Sequence, residues 1–497
     1  MSNTAYAILE TRFRRIGLLS ETEALLHWDW SAVMPTGGAE ARSEQLAEIK
    51  SIIHGLITAD DMSDLINAAQ QQSNLSSWQN RNLTLISHHW KKATVLTSEF
   101  VETFSKACSD CEQAWRIARP NNDFTSLLPS MERVLELTKE QGAAYADVMG
   151  CSVFDGLLDG YEPGAKSDDI TPVFNDLETF LPDFLGTALD HQASQPSPIP
   201  IEGHFPTQQQ KQLGQTLMKK LGFDFDHGRL DISLHPFCGG TPDDVRITTR
   251  YEESDFTQSL MGVLHETGHA LYERGLPKKW RRQPVGAALG MSIHESQSLL
   301  IEMQVCRSRE FIEFAAPLMR DAFSGHGPAW DAQNLYRLQT RIKPDFIRVD
   351  ADEVTYPAHV IIRYRLEKDL IEGRMKLCDL PAAWNEGMEK LLGITPPNDR
   401  LGCLQDVHWF DGAWGYFPTY TLGAMTAAQF FKAASDQDQT LKNSIQAGNF
   451  KPLMSWLGDN IHGQGSYLHA PDLIKKITGQ PLNADVFKSH LKNRYLS

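Results

Sequence analysis

From Thr4 to about His191 the apolar residues recur three and four apart, as in "LLPSMERVLELTKEQGAAYADVMG". That spacing lines one face of an α-helix, so this stretch predicts antiparallel helices. "SQPSPIPIEGHFP", Ser194 to Pro206, breaks the pattern, because its prolines remove backbone donors and block helix continuation. After a further helix near Gln208 to Leu221, "GRLDISLHPF" and "DDVRITTRY" alternate apolar with polar residues on either side of "CGGTP", which predicts a small β-hairpin. Helical spacing resumes at Phe256, interrupted by Gly- and Pro-rich loops around residues 323–328, 395–402 and 411–423. The expected fold is mainly α, a single domain over 1–497 made of a helical half (1–193), a linker (194–206) and a second half (207–497) that opens with a small sheet.

With 497 residues, 41% of them hydrophobic, the chain can bury a sizeable core. Its 47 basic against 63 acidic residues give a formal net charge of −16, which disfavours nucleic acid and anionic membranes as partners. No run of about 18 apolar residues is present, so no membrane-spanning helix is expected. The N-terminal "MSNTAYAILETRFRRIGLL" lacks the apolar core of a signal peptide. Seven scattered cysteines form no disulfide framework and fit reduced thiols in a cytoplasm. The one C-x-x-C, Cys108 and Cys111, falls on a helical face and reads as structural thiols.

The densest chemistry lies in "LHETGHALYERG", Leu264 to Gly275. Ser254 or Asp255 can cap a helix that runs from Phe256 to Arg274, and Gly275 with Pro277 can end it. On that helix His265 and His269 are four apart, so both imidazoles leave one face a turn apart and can meet one Zn²⁺. Glu266 lies about 100° further round, within reach of a metal-bound water. Gly268 in mid-helix is unfavourable by about 1 kcal/mol against Ala, which implies a close approach to the backbone.

Two histidines leave such a site short of a ligand. Glu295 in "SIHESQSLL" can return to the first helix and complete a His₂Glu set with an open position. Ser292 and Glu295 also fit S-x-x-E, a capping box, and spacing alone leaves the two roles open. Glu302 and Glu273 are the other ligand candidates. His294 points elsewhere on the helix and is at best an outer contact.

Six ordered blocks carry a resemblance: "HPF" (235–237), "DVRIT" (244–248), "HETGH" (265–269), "HESQ" (294–297), "IRVDAD" (347–352) and "GCLQDVHW" (402–409). Together they resemble the signature of the carboxypeptidase Taq family, the thermostable carboxypeptidase 1 metallopeptidases. "LLHWDWSAVMPTGGAEAR" near the N-terminus is also similar to that family, which extends the likeness over the whole chain. The resemblance implies a large helical metallopeptidase fold with a long active-site groove, a cytoplasmic homodimer, and a divalent metal, usually zinc or cobalt. It further implies His265, His269 and Glu295 as ligands and Glu266 as the catalytic carboxylate. One departure is Leu299, where many relatives are expected to carry Arg.

A peptidase of this kind needs a second donor for the oxyanion. "EVTYPAHVIIRY" offers Tyr356 and His359 at a helix start, where angiotensin-converting-enzyme-like peptidases have tyrosines in a similar arrangement, and "GYFPTY" offers Tyr416 and Tyr420 on a Gly-rich loop. A carboxypeptidase must also hold the substrate's terminal carboxylate, for which Arg348 ranks first, ahead of Arg250 and Arg246. The competing role for each arginine is an ion pair with Asp350, Asp352 or Asp244. His235 and His408 are groove-lining or packed. The reading is a metallocarboxypeptidase of broad specificity, with a zinc dipeptidyl carboxypeptidase or oligopeptidase of a related helical family as the alternative. A purely structural metal site is disfavoured, since it needs four protein ligands and no base.

Overall fold

The structure, a computed structural model, describes residues 4–497; the first three residues of the N-terminal half lie outside it. Helices of that half run from Ala5–Ala32 to Ser167–Ser194, and polar side chains satisfy the free N–H groups at several of their starts. Ser76, for instance, forms a capping box with Gln79. A small apolar cluster, including Leu9, Phe13, Ile66 and Ile86, joins the first helices. The main core spans both halves, with Phe174 and Leu177 sharing it with Tyr364, Trp414 and Phe430.

The stretch after Ser194 has no regular structure, yet it is docked. Ile199 N donates to Asn334 Oδ1 at 2.7 Å, and Phe205 packs against Phe256 and Phe323. The prolines end the helix without interrupting the core.

The sheet differs from the expected hairpin. Three strands, β1 (Gly228–Ile232), β2 (Phe237–Thr241) and β3 (Asp244–Thr249), lie in the order β1-β3-β2. The glycines of "CGGTP" belong to β2, which pairs antiparallel with β3, while β1 pairs parallel with β3. The reversal therefore falls at Pro242 and Asp243, next to Gly240. Gly240 has φ +82°, and a Cβ there would sit 2.2 Å from the Asp244 carbonyl oxygen.

The HETGH helix, Phe256–Gly275, starts where the Asp255 carboxylate accepts from Thr257 N at 2.7 Å. It packs on β3 and on the helix Thr207–Leu221. The next helix, Met291–Leu299, is held between the HETGH helix and the helix Pro418–Gln437, and a glycine stands at each contact. A Cβ on Gly268 would meet the Gln297 carbonyl oxygen at 2.5 Å, and one on Gly423 would meet Glu295 Cβ at 2.8 Å. The close approach expected at Gly268 is thus helix on helix, and it presents Glu295 to the histidines. Leu299 ends this helix, buried, and the chain continues as a π-turn, Leu300–Cys306. Among the described residues no helix is long and apolar enough to cross a membrane.

Candidate active site

His265 and His269 leave the HETGH helix with ring centroids 5.0 Å apart. Their Nε2 atoms lie 3.8 and 3.4 Å from Glu295 Oε2. One donor atom from each of the three falls within 4.8 Å of the others, and no other such group of three occurs among the described residues. The local fold leaves Glu295 free for this position. Its helix begins at Met291 with Gly290 at the cap, so Ser292 lies inside the helix and the capping-box register is not formed. Glu162, from the N-terminal half, takes that place and accepts from Ser292 N at 2.8 Å. Burial pushes the Glu162 carboxyl up to about 7.

The Nδ1 side of each ring is also engaged. His265 Nδ1 is 3.0 Å from Glu302 Oε2, whose other oxygen accepts from Arg307 Nη2 at 2.7 Å. His269 Nδ1 is 2.7 Å from His294 Nδ1, and His294 Nε2 is 2.9 Å from Glu273 Oε1. Glu302 and Glu273, the alternative ligands by sequence, therefore stand behind the rings. His294, expected at best as an outer contact, is one: the close packing of the two helices brings its ring against His269. Such outer contacts fix ring orientation at metal sites.

The donor set fits a divalent cation: with both Nδ1 atoms engaged elsewhere, both Nε2 atoms and a buried carboxylate oxygen converge. Burial alone would lower the His265 pKa, but Glu295, Glu302 and Glu266 together hold it above the usual imidazole range. Burial works in the opposite sense on Glu295, and the neighbouring imidazoles hold it below the carboxylate range. Glu266, on the same helix and 7% exposed, is pushed up to about 7 by burial. That value suits a group that both accepts and returns a proton near neutrality.

The Arg348 side has the opposite character. Arg348 is 5% exposed, and its Nε and Nη2 donate to Asp406 Oδ1 at 3.1 and 2.8 Å. Arg363 holds the other oxygen of Asp406, with Nε at 2.6 Å. The expected partners, Asp350 and Asp352, are engaged elsewhere: Asp352 accepts from backbone N–H groups of residues 343, 354 and 355, and Asp350 from Gln258. The Asp406 carboxyl is buried, and the two arginines hold it far below its ordinary range. Arg348 lies 4.8 Å from the Tyr420 ring centroid, a cation–π contact. Arg246 is paired with Asp244 and covers Trp28, and Arg250 is exposed.

Aromatic rings fill the space around these charges. Tyr420 sits in the first turn of the helix Pro418–Gln437 rather than in the expected loop, because Pro418 starts that helix. Its ring is 5.1 Å from Tyr416 and 6.2 Å from Tyr356, and its hydroxyl is 3.4 Å from His408 Nε2. Burial raises the hydroxyl pKa of Tyr356 and Tyr420, with Arg348 working against it and Glu295 adding to it. His408 packs on Tyr416 and Phe417, and burial pushes it down to about 4. His359 is fully buried with no hydrogen bond at either ring nitrogen, and burial with the nearby Arg363 and Arg348 lowers it to about 3. Its carbonyl accepts from Arg363 Nη1 at 2.7 Å, which ties it to the arginine pair. His235 is exposed in the loop between β1 and β2, and its carbonyl accepts from Ser233 Oγ. Sequence reasoning missed Asp406, Arg363, Tyr161 and Glu162. Asp406 stood inside the "QDVHW" block, and Arg363 one turn after His359; Tyr161, which packs edge-on to Tyr416, and Glu162 had no signal beyond a Gly- and Pro-rich loop.

A two-histidine, one-carboxylate donor set beside a buried glutamate on the same helix defines a metallopeptidase type of site. The chain matches the carboxypeptidase Taq (M32) metallopeptidase family over residues 8–495 and belongs to that family. It is 34% identical to thermostable carboxypeptidase 1 of Thermus thermophilus, over 99% of this chain and 98% of that one. Among solved structures it resembles metallocarboxypeptidase 1 of Trypanosoma cruzi, with a TM-score of 0.97 at 38% identity over 99% of both chains. The carboxypeptidase of Pyrococcus furiosus superimposes with a TM-score of 0.94 at 31% identity, over 100% of this chain and 99% of that one. The chain is a metallocarboxypeptidase, a peptide hydrolase that requires a divalent metal.

Proposed function

We propose that the enzyme removes single residues from the C-terminus of peptides with little side-chain preference, using zinc or cobalt held by His265, His269 and Glu295. The observation that carries this is the convergence of both Nε2 atoms on Glu295 while Glu302 and His294 occupy the two Nδ1 atoms. When bound, the metal supplies Lewis acidity, lowering the pKa of a water and polarising the scissile carbonyl. Glu266 accepts the proton of the attacking water at its carboxylate and delivers it to the nitrogen of the leaving amine. Tyr356 and Tyr420, which feel the charges of both Arg348 and Glu295, donate hydroxyl hydrogens to the developing oxyanion.

Arg348 takes the substrate's terminal carboxylate. With Nε and Nη2 bonded to Asp406, it has Nη1 free of any carboxylate. Two guanidiniums share one carboxylate here, so a second anion balances the cluster. Recognition of a group common to every peptide terminus supports broad specificity. His408 steadies the Tyr420 hydroxyl, Arg363 and His359 back the Asp406 side, and Tyr416 and His235 line the approach. By likeness to the family the enzyme is a cytoplasmic homodimer.

Incubating the protein with an N-blocked tripeptide and identifying products by mass tests the reading. A released single amino acid is expected, with activity abolished by chelation and restored by Zn²⁺ or Co²⁺. Release of a dipeptide overturns the single-residue assignment, and full activity in metal-free protein overturns the metal assignment.

A further inference from the structure

We propose that the C-terminal helix, Ala484–Tyr495, is a positioning element for the metal centre, acting through the π-turn Leu300–Cys306 that carries Glu302. The proposal rests on the ligand set above. A π-turn widens the helix by one residue, is rare, and persists where its neighbours hold it. This one offers Glu302 to His265 Nδ1 on one side. On the other side Arg494 donates to the carbonyls of Met303 and Gln304, two residues of the same turn.

Arg494 is itself fixed. Its Nη1 donates to Glu353 Oε2 at 2.8 Å, and the Tyr495 hydroxyl donates to the same oxygen at 3.0 Å. His490 Nε2 lies 2.8 Å from Glu353 Oε1, which also accepts from Gln304 Nε2 at 3.1 Å. Glu353 is 5% exposed and sits in the loop between Arg348 and Tyr356. Three residues of the last helix therefore close on one carboxylate, and one of them reaches past it to the backbone of the turn. A cavity of about 10 Å³, room for roughly one water, lies among Leu299, Met303, Gln304, Glu353, Tyr356 and Ala424. The turn is thus not tightly packed on this side, and once the Arg494 donors to the Met303 and Gln304 carbonyls are gone it would relax and draw Glu302 from His265. Removing Arg494 leaves Glu353 with three donors, so the last helix keeps its seat.

The test measures the Zn²⁺ dissociation constant by chelator competition and the visible absorption spectrum of the Co²⁺ form. Lys492→Met, on the exposed face of the same helix, serves as the control. Glu302→Gln sets the scale, with an expected loss of about 10- to 100-fold in metal affinity. Arg494→Met should weaken zinc about tenfold and shift the Co²⁺ spectrum, while Lys492→Met leaves both unchanged. The Arg494→Met/Glu302→Gln pair should bind no more weakly than Glu302→Gln alone. If Arg494→Met does not fold, Arg494→Gln, which keeps a donor for Glu353, reads the same two quantities. A dissociation constant within twofold of the parent, with a lowered Tm, would make the helix merely structural; additive losses would show that it does not act through Glu302. A parent protein that binds no zinc would instead overturn the ligand reading itself.

Discussion

The two ends of the site are built from the same materials with opposite bookkeeping. Around the histidines, Arg307 answers Glu302, which leaves Glu295 and Glu266 facing two imidazoles with no permanent cation. Around Arg348, two guanidiniums share the single carboxylate of Asp406. Burying unequal charge is unfavourable unless something of the other sign completes it. One cluster has no permanent cation beside its inner carboxyls and the other has one guanidinium in excess, a balance that the proposed metal and substrate carboxylate would complete. Tyr356 and Tyr420 feel charges of both clusters, Arg348 and Glu295, and are the donors proposed for the scissile carbonyl's oxyanion.

Removing the proton acceptor proposed at the first cluster should be the largest perturbation. Glu266→Gln preserves shape and cannot accept a proton, so kcat should fall about 10²- to 10⁴-fold while elemental analysis finds the metal retained. Glu295→Gln should instead lose metal on dialysis. A Glu295 variant that holds metal as tightly as the parent would show that the three-donor geometry misassigns the ligand.

The second cluster gives a smaller effect that depends on the substrate. Arg348→Ala should lower kcat/KM about 30-fold on free-acid peptides, the range for a buried charge-assisted contact. It should also lose the discrimination against C-terminally amidated peptides. Asp406 keeps Arg363 in this variant and so is not left without a counter-charge, and Tm measured alongside separates lost stability from lost selectivity. Equal losses on free-acid and amidated peptides would assign Arg348 a purely structural role and remove the comparison's second half.

The two clusters also differ in how far a sequence reveals them. His265, Glu266 and His269 sit on one helix, and its period places them without tertiary information. Glu295 needed two glycines on different helices, Gly268 and Gly423, to be seen as something brought close; only the first was noticed. Arg348 was singled out, but its partner was sought two and four residues away and proved to be Asp406, 58 residues on. Ion pairs between loops leave no periodicity to read. The small sheet was legible before the HETGH helix, but its pairing was not, for a related reason: a Gly-Gly pair signals a tight turn, whereas here it lies in a strand whose Gly240 lets the following turn close in. Glu162, which caps the helix of Glu295 from the other half of the chain, was illegible because S-x-x-E offered a local cap that the helix start at Met291 does not use.

A third buried carboxyl sharpens the comparison, because it has neither metal nor arginine. Glu367 is fully buried; its Oε2 accepts from Trp409 Nε1 at 3.1 Å and Gly415 N at 3.3 Å, and its Oε1 has no partner. These contacts tether the loop that carries Asp406 and His408 without touching either, so the effect on turnover should be the smallest of the series. With no cation beside it, burial pushes the carboxyl from 4.5 up to about 8. The folded state therefore holds this proton more tightly than the unfolded chain does. The resulting stabilisation is complete below about pH 4.5 and is lost as the pH rises through 8, a change on the order of a few kcal/mol. Glu367→Gln has no proton to lose, so its Tm should fall less than the parent's between pH 5.5 and 8.5, by an order of a few degrees. At pH 6.5 its kcat/KM should stay within about twofold of the parent, since Glu367 donates nothing to substrate. Parallel Tm profiles for the two proteins would mean that Glu367 is ionised across this range. A buried carboxylate would then be standing without a counter-charge, and the rule that reads a missing cation at the histidines and a missing anion at Arg348 would fail with it.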